Sequence, residues 1–200
     1  NISLDWKNHW GANALSATLL AEYQKRKVAA FWTQVKGLTN NNFGYDNLAA
    51  GSDRPYGGTG SSYADPSLTS FMGTLSYTLL DRYTLNLTTR ADGSSMVGKD
   101  HTWGIFPSIS ASWDLKKERF LRNCNTISLL NLRTGYGRSG NLGGISSYLT
   151  LRQYIPVGLV PYNGTPTVTM GTLRNSNPDL RWETRSTFNI GTDLGLFNNR

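Results

Sequence analysis

The sequence holds one cysteine, Cys124, and two histidines, His9 and His101, in 200 residues. A lone thiol closes no internal disulfide and says little about redox compartment. Two histidines and a cysteine so far apart match none of the usual zinc spacings, and an Asp-rich calcium loop is absent. Charge is sparse, at 16% of residues. The net +7 favours anionic partners in general. Its basic residues are scattered, however, apart from Lys25-Arg26-Lys27 and Lys116-Lys117 with Arg119. Neither cluster is followed by the aromatic pattern of an RNA-binding sheet, so no nucleic-acid partner is expected. Long apolar runs are missing too. The longest continuous patch is about Val28 to Trp32, against the ~18 apolar residues a membrane helix requires. A mean hydropathy of −0.40 and a 38% hydrophobic content resemble an ordinary soluble protein. They leave a membrane β-barrel open, because its alternating strands average out.

Catalytic signatures are equally scarce. Ser94, His101 and Asp92 or Asp100 are the residue types of a hydrolase triad, but no nucleophile elbow accompanies them. Gly57-Gly58-Thr59-Gly60 lacks the lysine and the strand–helix setting of a phosphate loop. Asp92-Gly93 reads instead as a turn at a strand end. Neither enzymatic activity nor a cofactor is expected. The chain opens on Asn1, Ile2, Leu4 and Trp6, without the basic start and cleavage site of a leader, and so reads as an interior excerpt of a longer protein.

What the sequence has is a two-residue rhythm. Phe71, Gly73, Leu75, Tyr77 and Leu79 alternate with Met72, Thr74, Ser76 and Thr78. After Asp81-Arg82, Tyr83, Leu85 and Leu87 alternate with Thr84, Asn86 and Thr88. The pattern returns with Trp103, Ile105, Ile109, Ala111, Trp113 and Leu115 against Gly104, Ser108, Ser110, Ser112 and Asp114. Strand side chains alternate between faces, so each run predicts a strand with one apolar and one small, hydroxyl-rich face. That pairing suits a sheet between lipid and a wet lumen. Phe106 breaks the polar parity, and Pro107 predicts a local bulge.

The motifs of this stretch carry a resemblance. Arg90-Ala91-Asp92-Gly93-Ser94-Ser95, then Gly98-Lys99, then Trp103 through Trp113 closely resemble the C-terminal β-barrel of SusC/RagA-type TonB-linked (TonB-dependent) outer-membrane transporters. Leu132-Arg133-Thr134-Gly135-Tyr136-Gly137 with Gly140-Asn141 is similar to the same family. So are Asn177-Pro178-Asp179-Leu180-Arg181-Trp182-Glu183, Asn189-Ile190-Gly191 and Gly195-Leu196-Phe197-Asn198-Asn199-Arg200. The matches run in the family's order over residues 70–200. The resemblance implies an all-β, antiparallel up-and-down transmembrane barrel segment of about seven strands, part of a 22-stranded barrel whose plug domain is absent here. It further implies the outer membrane of a Gram-negative bacterium, outer-membrane lipid around the barrel, and import of oligosaccharide or peptide cargo. A SusD-like surface lipoprotein would cap the barrel, and TonB would supply energy through the missing plug.

Loop lengths agree with such a meander. Connections are short near residues 7–12 and 80–82, short to intermediate at 116–127, intermediate at 92–102, and long near 37–68 and 138–180, where the long ones are expected to be extracellular. Residues 13–28 fit helix or strand by pattern, and the resemblance favours strand. Trp6, Tyr77, Tyr83 and Trp113 near the short turns, with Trp103 and Trp182 at the other end, are candidates for membrane aromatic girdles. Tyr45, Tyr56, Tyr63, Tyr148, Tyr154 and Tyr162 stand among amide and hydroxyl residues in the long connections and are candidate cargo contacts. The alternative is a soluble or surface-exposed β-sandwich serving as a binding or adhesin module, whose core would bury these same rings.

Overall fold

The computed structural model describes residues 1–40, 42 and 44–197; Asn198 to Arg200 of the last motif lie outside them. Seven antiparallel strands make one sheet in the order β1 (Ile2–Trp10), β2 (Asn13–Lys25), β5 (Ser67–Leu79), β6 (Tyr83–Ser94), β7 (Trp103–Asp114), β8 (Ile127–Asn141) and β11 (Glu183–Leu196). Two hairpins stand apart from it: β3 (Val28–Thr33) with β4 (Thr59–Ala64), and β9 (Gln153–Tyr162) with β10 (Thr165–Arg174). Residues 13–25 are therefore strand. The helix-forming composition there yields to cross-strand pairing on both sides, with β1 and β5.

The register holds the faces together across the whole sheet. One row of partners runs Trp6, Ala17, Leu75, Leu87, Ile109, Tyr136, Phe188. The adjacent row runs Lys7, Ser16, Ser76, Asn86, Ser110, Gly135, Asn189. Directly paired residues share a face, so the first row is apolar and the second small and polar, strand after strand. No second layer covers the apolar face. Leu75 is 41% exposed, Leu85 39% and Ile105 63%. Val97 and Phe106 are the only apolar side chains buried among the described residues. A water-soluble sandwich must bury the inner faces of both sheets to offset chain entropy. The structure thereby rejects the sandwich alternative.

One end of the sheet carries the connections 11–12, 80–82 and 115–126, the last of them longer than 95–102 at the other end. β1–β2 closes through Gly11 and Ala12. In β5–β6 the Arg82 amide returns to the Leu79 carbonyl at 3.1 Å, with Leu80 and Asp81 both at positive φ. The opposite end carries residues 26–66, 95–102 and 142–182. Each long connection contains a hairpin of its own. In residues 153–174 the turn is Asn163-Gly164, both at positive φ (49° and 79°), as a tight hairpin demands. Strand β1 runs through Lys7, Asn8 and His9 to Trp10, where the sequence suggested a turn. β6 likewise runs through Asp92 and Gly93 to Ser94. Gly93 is needed there because the Trp103 ring lies 3.0 Å from where its Cβ would be.

Pro107 makes no bulge. The β6–β7 register is unbroken from Tyr83↔Trp113 to Gly93↔Trp103. The Asp114 amide donates to the Arg82 carbonyl at 2.8 Å, which sets the phase: even residues of β7 turn their peptide groups to β6, odd ones to β8. Pro107 is odd, so its missing N–H falls on the β8 side. Pairing with β8 ends one residue earlier, at Ser108↔Gly137, although β8 continues to Asn141. The two strands splay beyond that point. Phe106 fills the wedge between the strands, edge-on to Trp182 (centroids 5.4 Å, 65°) and against Gly104 and Gly140.

A Cβ at Gly140 would collide with that ring, which Trp182 keeps from retreating. Gly140→Ala should destabilise the fold by about 1–3 kcal/mol, the usual cost of overpacking. In a Phe106→Ala background most of that penalty should vanish. Thermal midpoints of the four species, read from heat-modifiable gel mobility, check this; simple additivity would mean the ring does not occupy that space.

Candidate functional site

Three zones of the sheet carry distinct chemistry. The first is the apolar face. At its short-turn end Trp10 stacks on Tyr77 (6.2 Å) and Tyr83 on Trp113 (5.9 Å); at the long-loop end Phe71 stacks on Trp103 (6.0 Å). Trp6 lies four residues from its turn, in the row of Leu75, and Trp10 takes the position nearest the turn. Trp182 stacks with none of these rings: it packs on Phe106, and its Nε1–H donates to the Thr102 carbonyl at 3.1 Å. Glu118 organises the short-turn end. Its carboxylate accepts hydrogen bonds from Tyr83 Oη (2.6 Å), Trp113 Nε1 (3.1 Å) and Arg82 Nη1 (2.9 Å). Those donors hold the Glu118 carboxyl below its usual pKa, Tyr83 contributing most. Tyr83 and Trp113 are thus both fixed by their polar tips.

The second zone is the polar face, where hydroxyl pairs such as Thr74–Thr88 (3.2 Å) and Thr78–Thr84 (3.1 Å) cross between strands. Near the long-loop end this face closes over. Arg90 Nε–H is shared between both oxygens of Asp92 (2.7 and 2.8 Å), and its Nη2 donates to Ser70 Oγ at 3.1 Å. Asp92 is 7% exposed, with Ser70, Ser94 and Val97 buried alongside. The 177–182 segment crosses here as well: the Gly98 amide donates to the Leu180 carbonyl at 2.8 Å, and a Cβ at Gly98 would strike Pro178 O. The Asn-Pro-Asp-Leu-Arg-Trp motif thereby ties the start of β11 to the β6–β7 connection. These contacts also dissolve the triad constellation. Asp92 belongs to Arg90, and Ser94 Oγ accepts the Met96 amide at 3.1 Å. No cluster of three potential metal ligands occurs among the described residues.

The third zone is the long connections. Tyr45 is 85% exposed on the 3-10 turn Gly44–Ala50. Tyr56, Tyr63, Tyr154 and Tyr162 are exposed too, the last three on the hairpin strands β4 and β9. Tyr148 differs from them. It holds a positive φ of 67°, and its hydroxyl reaches Asp65 Oδ1 (3.4 Å), which also pairs with Lys25 Nζ (3.5 Å). Partial burial, then the neighbouring Asp65 charge, raise the Tyr148 phenol above its usual pKa. This contact joins residues 26–66 to residues 142–182. The sequence names the tyrosines but not Asp65, whose role exists only once the chain has folded.

An exposed apolar face on seven register-locked strands, a polar opposite face, and short turns facing long connections are the marks of a transmembrane barrel wall. The family model described as "TonB dependent receptor-like, beta-barrel" matches residues 1–200. The chain belongs to this TonB-dependent receptor β-barrel family. Among relatives of this receptor barrel, TonB-dependent receptor P26 of Formosa agariphila is 34% identical over 180 residues, covering 90% of this chain and 18% of that protein. TonB-dependent receptor SusC of Bacteroides thetaiotaomicron is 40% identical over 143 residues, covering 67% and 14%. The solved RagAB peptide transporter shares the fold, with a TM-score of 0.81 at 24% identity over 99% of this chain and 21% of that one. The receptor segment thus spans about a fifth or less of the proteins it matches. Its relatives are receptors and transporters, not enzymes.

Proposed function

We propose that the protein contributes part of the wall of an outer-membrane active transporter that imports large glycan- or peptide-derived nutrients with TonB-supplied energy. The observation that carries this is the unpartnered apolar face: on seven paired strands it needs hydrocarbon to cover it. The names of relatives support both cargo classes, since one is SusC and a structural neighbour is a peptide transporter. On this reading the barrel sits in the outer membrane of a Gram-negative bacterium, and Trp10, Tyr77, Tyr83 and Trp113 form the periplasmic girdle with Trp6 above them. Phe71 and Trp103 form the outer girdle, and residues 26–66 and 142–182 face the exterior. The exposed tyrosines Tyr45, Tyr56, Tyr63, Tyr154 and Tyr162 offer stacking faces to cargo, and Tyr148 fixes the loops that present them. A SusD-like lipoprotein caps the barrel from outside. The plug and the segment that touches TonB belong to no part of residues 1–200.

The test is uptake of labelled oligosaccharides and peptides by cells carrying or lacking TonB. Uptake of one cargo class should fall to background without TonB while surface binding persists. Uptake indifferent to TonB would refute the reading.

A further inference from the structure

Tyr148 is the one bulky side chain of the long connections held at positive φ, 67°, among the described residues. Such outliers are disfavoured for bulky residues and persist only where surrounding contacts enforce them. Here the enforcing contact is a single hydrogen bond. Tyr148 Oη donates to Asp65 Oδ1 at 3.4 Å, and among the described residues no other hydrogen bond joins residues 26–66 to residues 142–182. The neighbouring fastenings are shorter: Gly98 to Leu180 is 2.8 Å, Trp182 to Thr102 3.1 Å, and the Ser67 amide to Ser95 Oγ 2.9 Å. Tyr148 is also 39% exposed. Its partner stays fixed without it. Lys25 Nζ holds the other oxygen, Asp65 Oδ2, at 3.5 Å, and Lys25 is anchored on the wall by its pairing with Ser67. A cavity of about 290 Å³ lies beside the contact, lined by Lys25, Asp65, Ser67, Ser95, Ser147 and Tyr148. The hairpins β3–β4 and β9–β10 beyond it pair with no other strand.

We infer that Tyr148 and Asp65 form a latch between the two long connections, closed at rest and opened in each import cycle by cargo that brings hydrogen-bond donors to Asp65. The inference rests on the transporter reading above and adds a moving part to it. On opening, the phenol gives up one exposed hydrogen bond, and release of the positive φ offsets that loss, so the two forms lie close in free energy. A near-balanced element is one that a modest difference in ligand affinity can switch. Moving elements are drawn from the weakly held parts of a structure, and this contact is the weakest of the fastenings at its end. Sugar hydroxyls and peptide amides both supply the donors, so the latch serves either cargo class. The wall side, Asp65 with Lys25, stays put while the Tyr148 side swings.

The test uses the full-length protein in the outer membrane of intact cells, with Cys124 and any further cysteine replaced by serine. Asp65→Cys with Tyr148→Cys is joined by a short bis-methanethiosulfonate linker, whose disulfides a reductant cleaves. The probes are the labelled oligosaccharides and peptides of the uptake test above. Linking should drop TonB-dependent uptake to background, and reductant should restore it. Val160→Cys with Thr167→Cys, partners inside the β9–β10 hairpin, should keep its uptake when linked in the same way. Spin-labelled cysteines in place of Ser61 and Thr167 report the separation of β4 and β10. Tyr148→Phe without cargo, and wild-type Tyr148 with cargo, should both spread that distance towards longer values. Unchanged uptake in the linked protein, a loss that reductant does not reverse, an equal loss in the hairpin control, or resting distances in Tyr148→Phe would each overturn the proposal. Heat-modifiable mobility identifies the folded barrels; should the double cysteine variant fail to assemble, the Tyr148→Phe distances decide alone. A wild type that imports neither probe class, or imports without TonB, defeats the transporter reading and this one together. A TonB-dependent importer indifferent to the linker defeats this one alone.

Discussion

Leu87→Arg should leave the protein largely unassembled in the outer membrane, while Asn86→Arg, one residue away on the same strand, should assemble normally. Leu87 pairs with Leu75 and Ile109 on the apolar face, midway between the Tyr83 and Phe71 ends, and exposure along β6 alternates with this parity from Tyr83 to Arg90. An arginine on the lipid face near the midplane costs about 2–4 kcal/mol, because its charge must snorkel or draw water inward. Asn86 pairs with Ser76 and Ser110 on the polar face, and its Nδ2 donates to Ser110 Oγ at 3.3 Å. Replacing it forfeits at most that exposed hydrogen bond, ~1 kcal/mol, and the guanidinium extends into water. The measurement is the folded, heat-modifiable fraction of each variant in isolated outer membranes, expressed from the native locus. Equal loss in both would mean that both faces meet the same medium, and the lipid-facing assignment would fail.

This contrast depends only on alternation, which is why so much of the wall was legible from residues alone. Period two is a property of neighbours in sequence, and Phe71 to Leu115 shows it without any knowledge of partners. What escaped depends on partners. The β9–β10 hairpin has its Asn163-Gly164 turn, yet its strands read as loop because Pro156, Pro161 and Gly158 interrupt the alternation. Asp92-Gly93 has turn chemistry, but Arg90 and Trp103 hold it inside a strand. Trp182 reads as a girdle ring from its type and place, and only the splay at Pro107 explains why it packs on Phe106 instead. The family motifs quoted from the sequence mostly prove to be fastenings at the long-loop end: Arg90 to Asp92, Gly98 to Leu180, Trp182 to Thr102.

The first of those fastenings yields the second large effect. Arg90→Met leaves the Asp92 carboxylate, 7% exposed, without the cation that spans both its oxygens, and removes the donor to the fully buried Ser70 Oγ. Breaking a buried ion pair from one side costs roughly 3–5 kcal/mol. The Arg90 side chain is itself 37% exposed, so water reaches part of this pair, and the expected loss is nearer ~2 kcal/mol. The penalty belongs to the stranded charge rather than to the missing attraction. Neutralising the survivor should therefore recover much of it, and Arg90→Met with Asp92→Asn should be more stable than Arg90→Met alone. Arg90→Lys should rescue only in part, because an ammonium cannot reproduce the guanidinium's reach to Ser70 and Asp92 together. Thermal midpoints of the assembled barrel order the three variants. If the double variant were no better than the single one, Asp92 would be hydrated on loss of its partner, and the polar cluster it shares with Ser70 and Ser94 would be open to water.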